Sequence, residues 1–207
     1  GLIHVHSYRA LVRLIGMCWY RSESTGLLRG QTHCFGSIRS SASRNAQLWQ
    51  SPARLDGLVD RFRRIVDYDL KPKHAATTEP LLQHYGVRTR WIDLVDSVPH
   101  ALFFATHAFV PSLFAAQSDA LMTYLPCLTD GGTIYVIDMG ELVPASVGSD
   151  AVPGVFDASW GGRVCDLRRA KPSQALRPHM QHGWLCRPPD ASPDLWDRVL
   201  LRLTFDP

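Results

Sequence analysis

The residues best equipped for chemistry fall in one stretch: Gln83-His84-Tyr85-Gly86, then Arg88-Thr89-Arg90 and Asp93. An imidazole, a phenol, two guanidinium groups, a hydroxyl and a carboxylate are gathered around one glycine turn. An arginine and a threonine hydroxyl near a helix–strand turn are suited to grip a phosphate. His84 and Asp93 are of the types that act as acid and base. Each also has a purely structural use. His84 can be a half-buried histidine satisfied at a helix end, and Asp93 or Asp96 can cap the helix that begins at Pro99. In an extended segment residues 89, 91 and 93 face one way and 88, 90 and 92 the other, so Arg90 and Asp93 share a face only if the strand bulges.

Two other groups stand out. Leu28-Arg29-Gly30-Gln31 puts an arginine at the end of an interior strand, where it needs an anionic partner. That partner is either a ligand or Asp93 or Asp96 in a structural ion pair, and Gly30 permits close approach of a ligand or of backbone. Late in the chain, Arg177-Pro178-His179-Met180-Gln181-His182-Gly183-Trp184 spaces two histidines by three, with Cys186 four further on. Pro178 and Gly183 argue against a regular helix aiming both rings at one metal, and no second ligand pair of that quality exists, so no metal is expected. His4-Val5-His6 is a weaker metal signal still. There is no GxSxG elbow, no GxxxxGK[ST] loop and no GxGxxG after a strand.

Composition restricts the setting. With 207 residues, 45% apolar and 20% charged, the chain suits one globular domain with a proper core. A net charge of +3 does not by itself indicate nucleic acid. Of 22 basic side chains only Lys71, Lys73 and Lys171 are lysine, leaving nineteen arginines. That bias fits a GC-rich coding sequence, and it also fits arginines placed for forked contacts with phosphate or carboxylate. Five cysteines without a CxxC pair argue against a disulfide scaffold and suit a reducing compartment, with cytoplasm the default. Apolar runs are too short for a membrane span, no signal peptide is expected, and the absent initiator Met suggests a fragment.

The elements that must position these residues follow from periodicity. Helices are expected over 7–16, 53–70 and roughly 78–85, with a fourth from Pro99 through the run ending at Phe109. Strands are expected at 24–31, along TRWIDL, at 131–140 (the strongest), at GRVCDL and at the terminal VLLRLTF. Residues 36–44 and 144–160 read as loops, and 110–130 as an excursion from the domain. The sum is an α+β domain over 1–207, with N-terminal helices packed on a mixed, mostly antiparallel sheet.

Taken in order, the three groups resemble the FRG domain family. Its Phe-Arg-Gly reads Leu28-Arg29-Gly30 here, followed by the usual Gln31. Its Gln-His-Tyr-Gly turn with Thr-Arg and Asp matches Gln83 to Gly86, Thr89-Arg90 and Asp93. Its apolar helix ending in Phe-Ala matches Ala101 to Ala105, and its late Arg, Gln and Gly are approximated by Arg177, Gln181 and Gly183. The Trp-Thr that usually follows the Asp is Leu94-Val95 here, so any role of that hydroxyl is lost. The resemblance implies a bacterial protein of the toxin or phage-defence kind.

By analogy of parts it further implies an ADP-ribosyltransferase-like fold and an enzyme using NAD as co-substrate. Arg29, Gln31, Tyr85, Thr89, Arg90 and Arg177 would hold the nucleotide, with Arg29 and Arg90 clamping the pyrophosphate. His84, Asp93 and Gln181 would act at the reacting centre. The expected partners are the nucleotide, a protein or nucleic-acid acceptor and a cognate immunity or antitoxin protein, with no membrane. Two rival expectations are a non-catalytic module that senses a nucleotide or a phage component, and a hydrolase using His84 and Asp93 with a divalent metal.

Overall fold

In a computed structural model the most deeply buried strand is β6 (Gly132–Asp138), whose β-branched and aromatic run Thr133-Ile134-Tyr135-Val136-Ile137 is covered on both faces. The structure describes residues 1–66, 76–84, 87–110, 123–127, 131–147, 149–170 and 180–206. Around β6 runs a nine-stranded sheet in the order β1-β11-β6-β2-β3-β10-β9-β8-β7. These strands are β1 (Leu2–His4), β2 (Gly26–Gln31), β3 (Ile92–Val95), β7 (Leu142–Val147), β8 (Asp150–Ala158), β9 (Arg163–Asp166), β10 (Gly183–Arg187) and β11 (Val199–Phe205). The β1–β11 pair is parallel and the other pairs are antiparallel. The architecture is therefore α+β with a mixed, mostly antiparallel sheet, as the alternation of patterns suggested.

Strand alternation divides the core into layers. Leu28, Val95, Ile134, Val136 and Leu203 face α1 (Tyr8–Ser22) and α5 (Val98–Thr106). Leu27, Ile92, Leu94, Tyr135 and Ile137 face the other way, toward Ile38 and Leu195. Two short helices, α2 (Ala46–Trp49) and α6 (Leu167–Ala170), and the pair α3 (Pro52–Val66) and α4 (Thr78–His84) complete the α-helices among the described residues, beside one 3-10 turn at Trp196–Arg198. Ala42, Leu55, Val59 and Leu82 form the small core that seats α3 and α4.

Several elements differ from expectation. α1 does not stop at Gly16 but runs to Ser22, with Glu23 in the left-handed conformation at its end (φ 50°). Residues 144–160 are not a loop: they carry most of the β7–β8 hairpin. Pro144 is tolerated because β7 is the sheet edge, Pro153 because it precedes the part of β8 that pairs with β9, and Gly154 takes a positive φ of 71° where it meets α6. Strands β1 and β10 carry too few residues to show a period, and β10 is nonetheless central. The excursion after α5 begins as β4 (His107–Val110) paired with β5 (Thr123–Pro126). The expected C-terminal part of the 53–70 helix, residues 67–70, lies outside the described residues. The five cysteines form no disulfide, and no described helix is long and apolar enough to cross a membrane.

Gly30 is where α5 meets the sheet. A Cβ there would lie 1.9 Å from the Ala101 carbonyl oxygen and 2.8 Å from the Ala105 nitrogen, both backbone atoms that cannot rotate aside. Gly30→Ala is therefore expected to lower stability by about 3 kcal/mol, the upper end of overpacking costs, in urea denaturation. A loss below about 0.5 kcal/mol would show that α5 retreats freely.

Candidate functional site

The strands β2 and β3 pair at a single position, Leu28 with Val95. Continued pairing would set Gly30 opposite Asp93, but the strands diverge there and the sheet splits. The split opens a cleft of about 500 Å³. Its walls include Arg29, Gly30, Gln31 and Thr32 from β2 and its exit, Asp93 from β3, and Gln181 and Gly183 at the entry to β10. Arg44 and Phe35 come from the 35–45 loop, and Phe104, His107 and Tyr124 from α5 and the β4–β5 hairpin.

Arg29 bridges the split. Its Nη1 donates to the Asp93 main-chain carbonyl at 2.6 Å, supplying the bond that a paired strand would have made. The pairing with Asp93 thus runs through main chain. Burial pulls the Arg29 pKa below its ordinary value; the Asp93 charge opposes that shift and the nearby Arg44 charge adds to it. The Arg29 Nε and the Gln31 Oε1 are buried without a hydrogen-bond partner. A donor and an acceptor two residues apart on one strand are thus left unsatisfied, at a cost in free energy. Arg44 makes no ion pair among the described residues; its Nε reaches the Ser40 carbonyl at 3.4 Å.

The Asp93 carboxylate is oriented by a relay. Gln83 Nε2 donates to it at 2.8 Å, and the Gln83 Oε1 accepts from the buried Thr89 hydroxyl at 2.7 Å. The glutamine amide is thereby held in one orientation, donor toward Asp93. Across the cleft, His107 stacks on Phe103 at 4.3 Å, and Phe104 and Tyr124 meet edge to face at 5.8 Å, forming an aromatic wall.

Of the residues marked in the sequence, Arg29, Gln31, Asp93 and Gln181 line this cleft, and Thr89 supports it from behind. Arg90 does not join them. Its guanidinium is committed to Glu79 and Asp56, both at 2.8 Å, and it lines a separate hollow with Asp56 and Glu79. His84 ends α4, but its side chain, Tyr85 and Arg177 lie outside the described residues. Gln83 stands in the sequence motif without an assigned role there, and Arg44, Phe104, His107 and Tyr124 are brought to the cleft by the fold. The i, i+3 spacing of Phe104 and His107 was a readable sign of a shared face, whereas Arg44 and Tyr124 carried none.

Gln181 and Gly183 flank His182, a non-glycine residue at φ 51°. Asp96 pins it: Oδ1 bonds His182 Nδ1 at 2.8 Å, while Oδ2 accepts from Arg168 Nη2 at 2.6 Å and Trp184 Nε1 at 3.0 Å. Asp96 thus does not cap α5, whose N-cap is Ser97. Cys186 is wholly buried in the core, and His179 lies outside the described residues.

Residues 24–111 match the family model of the FRG domain. This stretch is an FRG domain. The match takes in Arg29, Gln31, Arg44, Gln83, Thr89, Asp93 and the α5 wall, and ends before Tyr124 and Gln181. No curated protein and no solved structure gave a significant match to the chain.

Burial alone would raise the Asp96 pKa, but hydrogen bonds from Trp184, Arg168 and His182 and the Arg168 charge outweigh it and hold the carboxyl below its ordinary value. A depressed carboxyl stabilises the fold above its unfolded pKa of roughly 3.9 and loses that contribution as pH falls through the folded value. Asp96→Asn is expected to cost about 1–3 kcal/mol near neutral pH. The gap from wild type should narrow below roughly pH 4, as read by urea denaturation across pH.

Proposed function

We propose that the FRG cleft binds a nucleotide and that the protein is an ADP-ribosyltransferase-like enzyme with NAD as donor. The observation that carries the reading is the unpartnered pair on β2, Arg29 Nε and Gln31 Oε1, in a cleft with Arg44 and a fixed carboxylate. Two guanidinium groups that lack carboxylate forks of their own suit a pyrophosphate, and the wall of Phe104, His107 and Tyr124 suits a flat heterocycle. When bound, NAD supplies an ADP-ribosyl group with nicotinamide as leaving group. The chain's own part is to hold the phosphates through Arg29 and Arg44 and to present the Asp93 carboxylate where positive charge develops. Gln181, at the cleft mouth, orients the acceptor. The reading extends to a bacterial toxin or phage-defence effector, working in the cytoplasm on a protein or nucleic-acid acceptor and restrained by a cognate immunity or antitoxin protein.

One observation favours a second reading, a non-catalytic nucleotide sensor. None of the three glutamates lines the cleft: Glu23 ends α1, Glu79 holds Arg90, and Glu141 precedes β7. Asp93 is the one carboxylate among the cleft's described residues.

Labelled NAD with mixed protein, DNA and RNA acceptors tests both. Transfer or NAD hydrolysis is expected from the wild type, and neither binding nor turnover would defeat the proposal. Arg29→Ala should weaken NAD binding roughly 10- to 100-fold through the lost charge-assisted bonds. Gln181→Ala should leave binding near wild type while lowering turnover about 100-fold in an enzyme. In a sensor both substitutions abolish binding together.

A further inference from the structure

The two ends of the sheet's first and last strands carry a second cluster, far from the cleft in sequence and in strand order. β1 runs parallel to β11 with His4 beside Thr204, and the Val5 amide donates to the Thr204 carbonyl at 2.7 Å. Val5 is buried, so its neighbours His4 and His6 both turn outward. Phe205 packs on the same core, which turns Thr204 and Asp206 outward in the same way. The alternation of two strands thus collects two imidazoles and a carboxylate at one sheet corner, which the His4-Val5-His6 spacing alone did not reveal.

Their geometry is that of ligands. One nitrogen or oxygen from each of His4, His6 and Asp206 can be chosen so that all lie within 4.8 Å of one another. His4 Nε2 stands 3.3 Å from Asp206 Oδ2. Two donors bound at roughly 2.0–2.1 Å to a tetrahedral ion sit about 3.3 Å apart. The other His4 nitrogen, Nδ1, lies 3.4 Å from the Thr204 hydroxyl, in the place of an outer partner that orients a metal-bound ring. Arg202 shares the outward face but has its guanidinium over the Trp196 ring at 5.1 Å. Two imidazoles with one carboxylate select a borderline transition ion over magnesium or calcium, which prefer all-oxygen shells.

We propose that His4, His6 and Asp206 form a binding site for a divalent zinc-class ion that clips β1 to the end of β11. Three protein ligands leave a coordination position open, and the adjoining hollow of about 330 Å³, bounded by His6, Tyr8, Phe205 and Asp206, lies beside it. The site is independent of the nucleotide cleft and of any activity there.

Calorimetric titration of untagged protein with Zn²⁺ should show a one-to-one site. That site should be absent from His4→Ala/His6→Ala and from Asp206→Ala. Thr204→Val keeps all three ligands and should weaken binding about tenfold. Because these side chains are exposed, the variants should melt like the metal-free wild type, and only the wild type should gain melting temperature with Zn²⁺. Substituted Co²⁺ should give tetrahedral visible bands without thiolate charge transfer. No one-to-one binding, binding unchanged in the variants, or a thiolate band from one of the five cysteines would each overturn the assignment.

Discussion

The hydrogen bond from Arg29 to the Asp93 carbonyl lets a nine-stranded sheet remain one sheet while open at its centre. Hydrogen-bonded strands normally keep a water-excluding ladder, and β2 and β3 abandon theirs after one residue pair. An uncharged side chain of similar reach would fill the gap, but a guanidinium offers five donors, and only one is spent on the main chain. The rest of the arrangement follows from that opening. Helix α5 can settle on Gly30 because β2 is free to bend past β3, and the 35–45 loop folds over the far side, where Tyr135 donates to the Phe35 carbonyl.

The arginine-rich composition acquires meaning when each guanidinium is followed to its partner. Arg90 is shared by Glu79 and Asp56, Arg168 by Asp96 and Asp166, and Arg198 reaches both the carbonyl and the carboxylate of Asp138. These are forked contacts that lysine's point charge would not reproduce. Arg29 and Arg44 differ: among the described residues their printed hydrogen bonds go to main-chain carbonyls, of Asp93 and Ser40, rather than to a carboxylate fork.

Much of this was legible in the sequence, and the exceptions have causes. α3 announced itself through its 3.6 period and β6 through its β-branched residues between glycines, and the Gln83–Asp93 motif held its polar residues at spacings that proved to serve one relay. Arg90 was misleading because it adjoins Thr89 in the same motif, yet its side chain turns to Asp56 of α3 and Glu79 of α4. β7 and β8 were hidden by Pro144, Pro153 and Gly154, residues that an edge hairpin accepts and a central strand would not. β10 was hidden by its length, since five residues with buried positions on both faces show no clean alternation. Arg44 and Tyr124 reach the cleft through tertiary folding alone, with no local pattern to betray them.

The strand order has a consequence for how the chain finds its shape. β2 waits for β6, about a hundred residues downstream, and β3 waits for β10 across a similar distance. β1 can dock only after β11 exists. During synthesis the FRG-matched stretch therefore emerges as two central strands with neither outer neighbour, its apolar edges exposed until the later half arrives. Such non-local pairing is slow and aggregation-exposed. The segment that is recognisable as a family is thus smaller than the segment that can fold, and an excised 24–111 would be a sheet without its flanks.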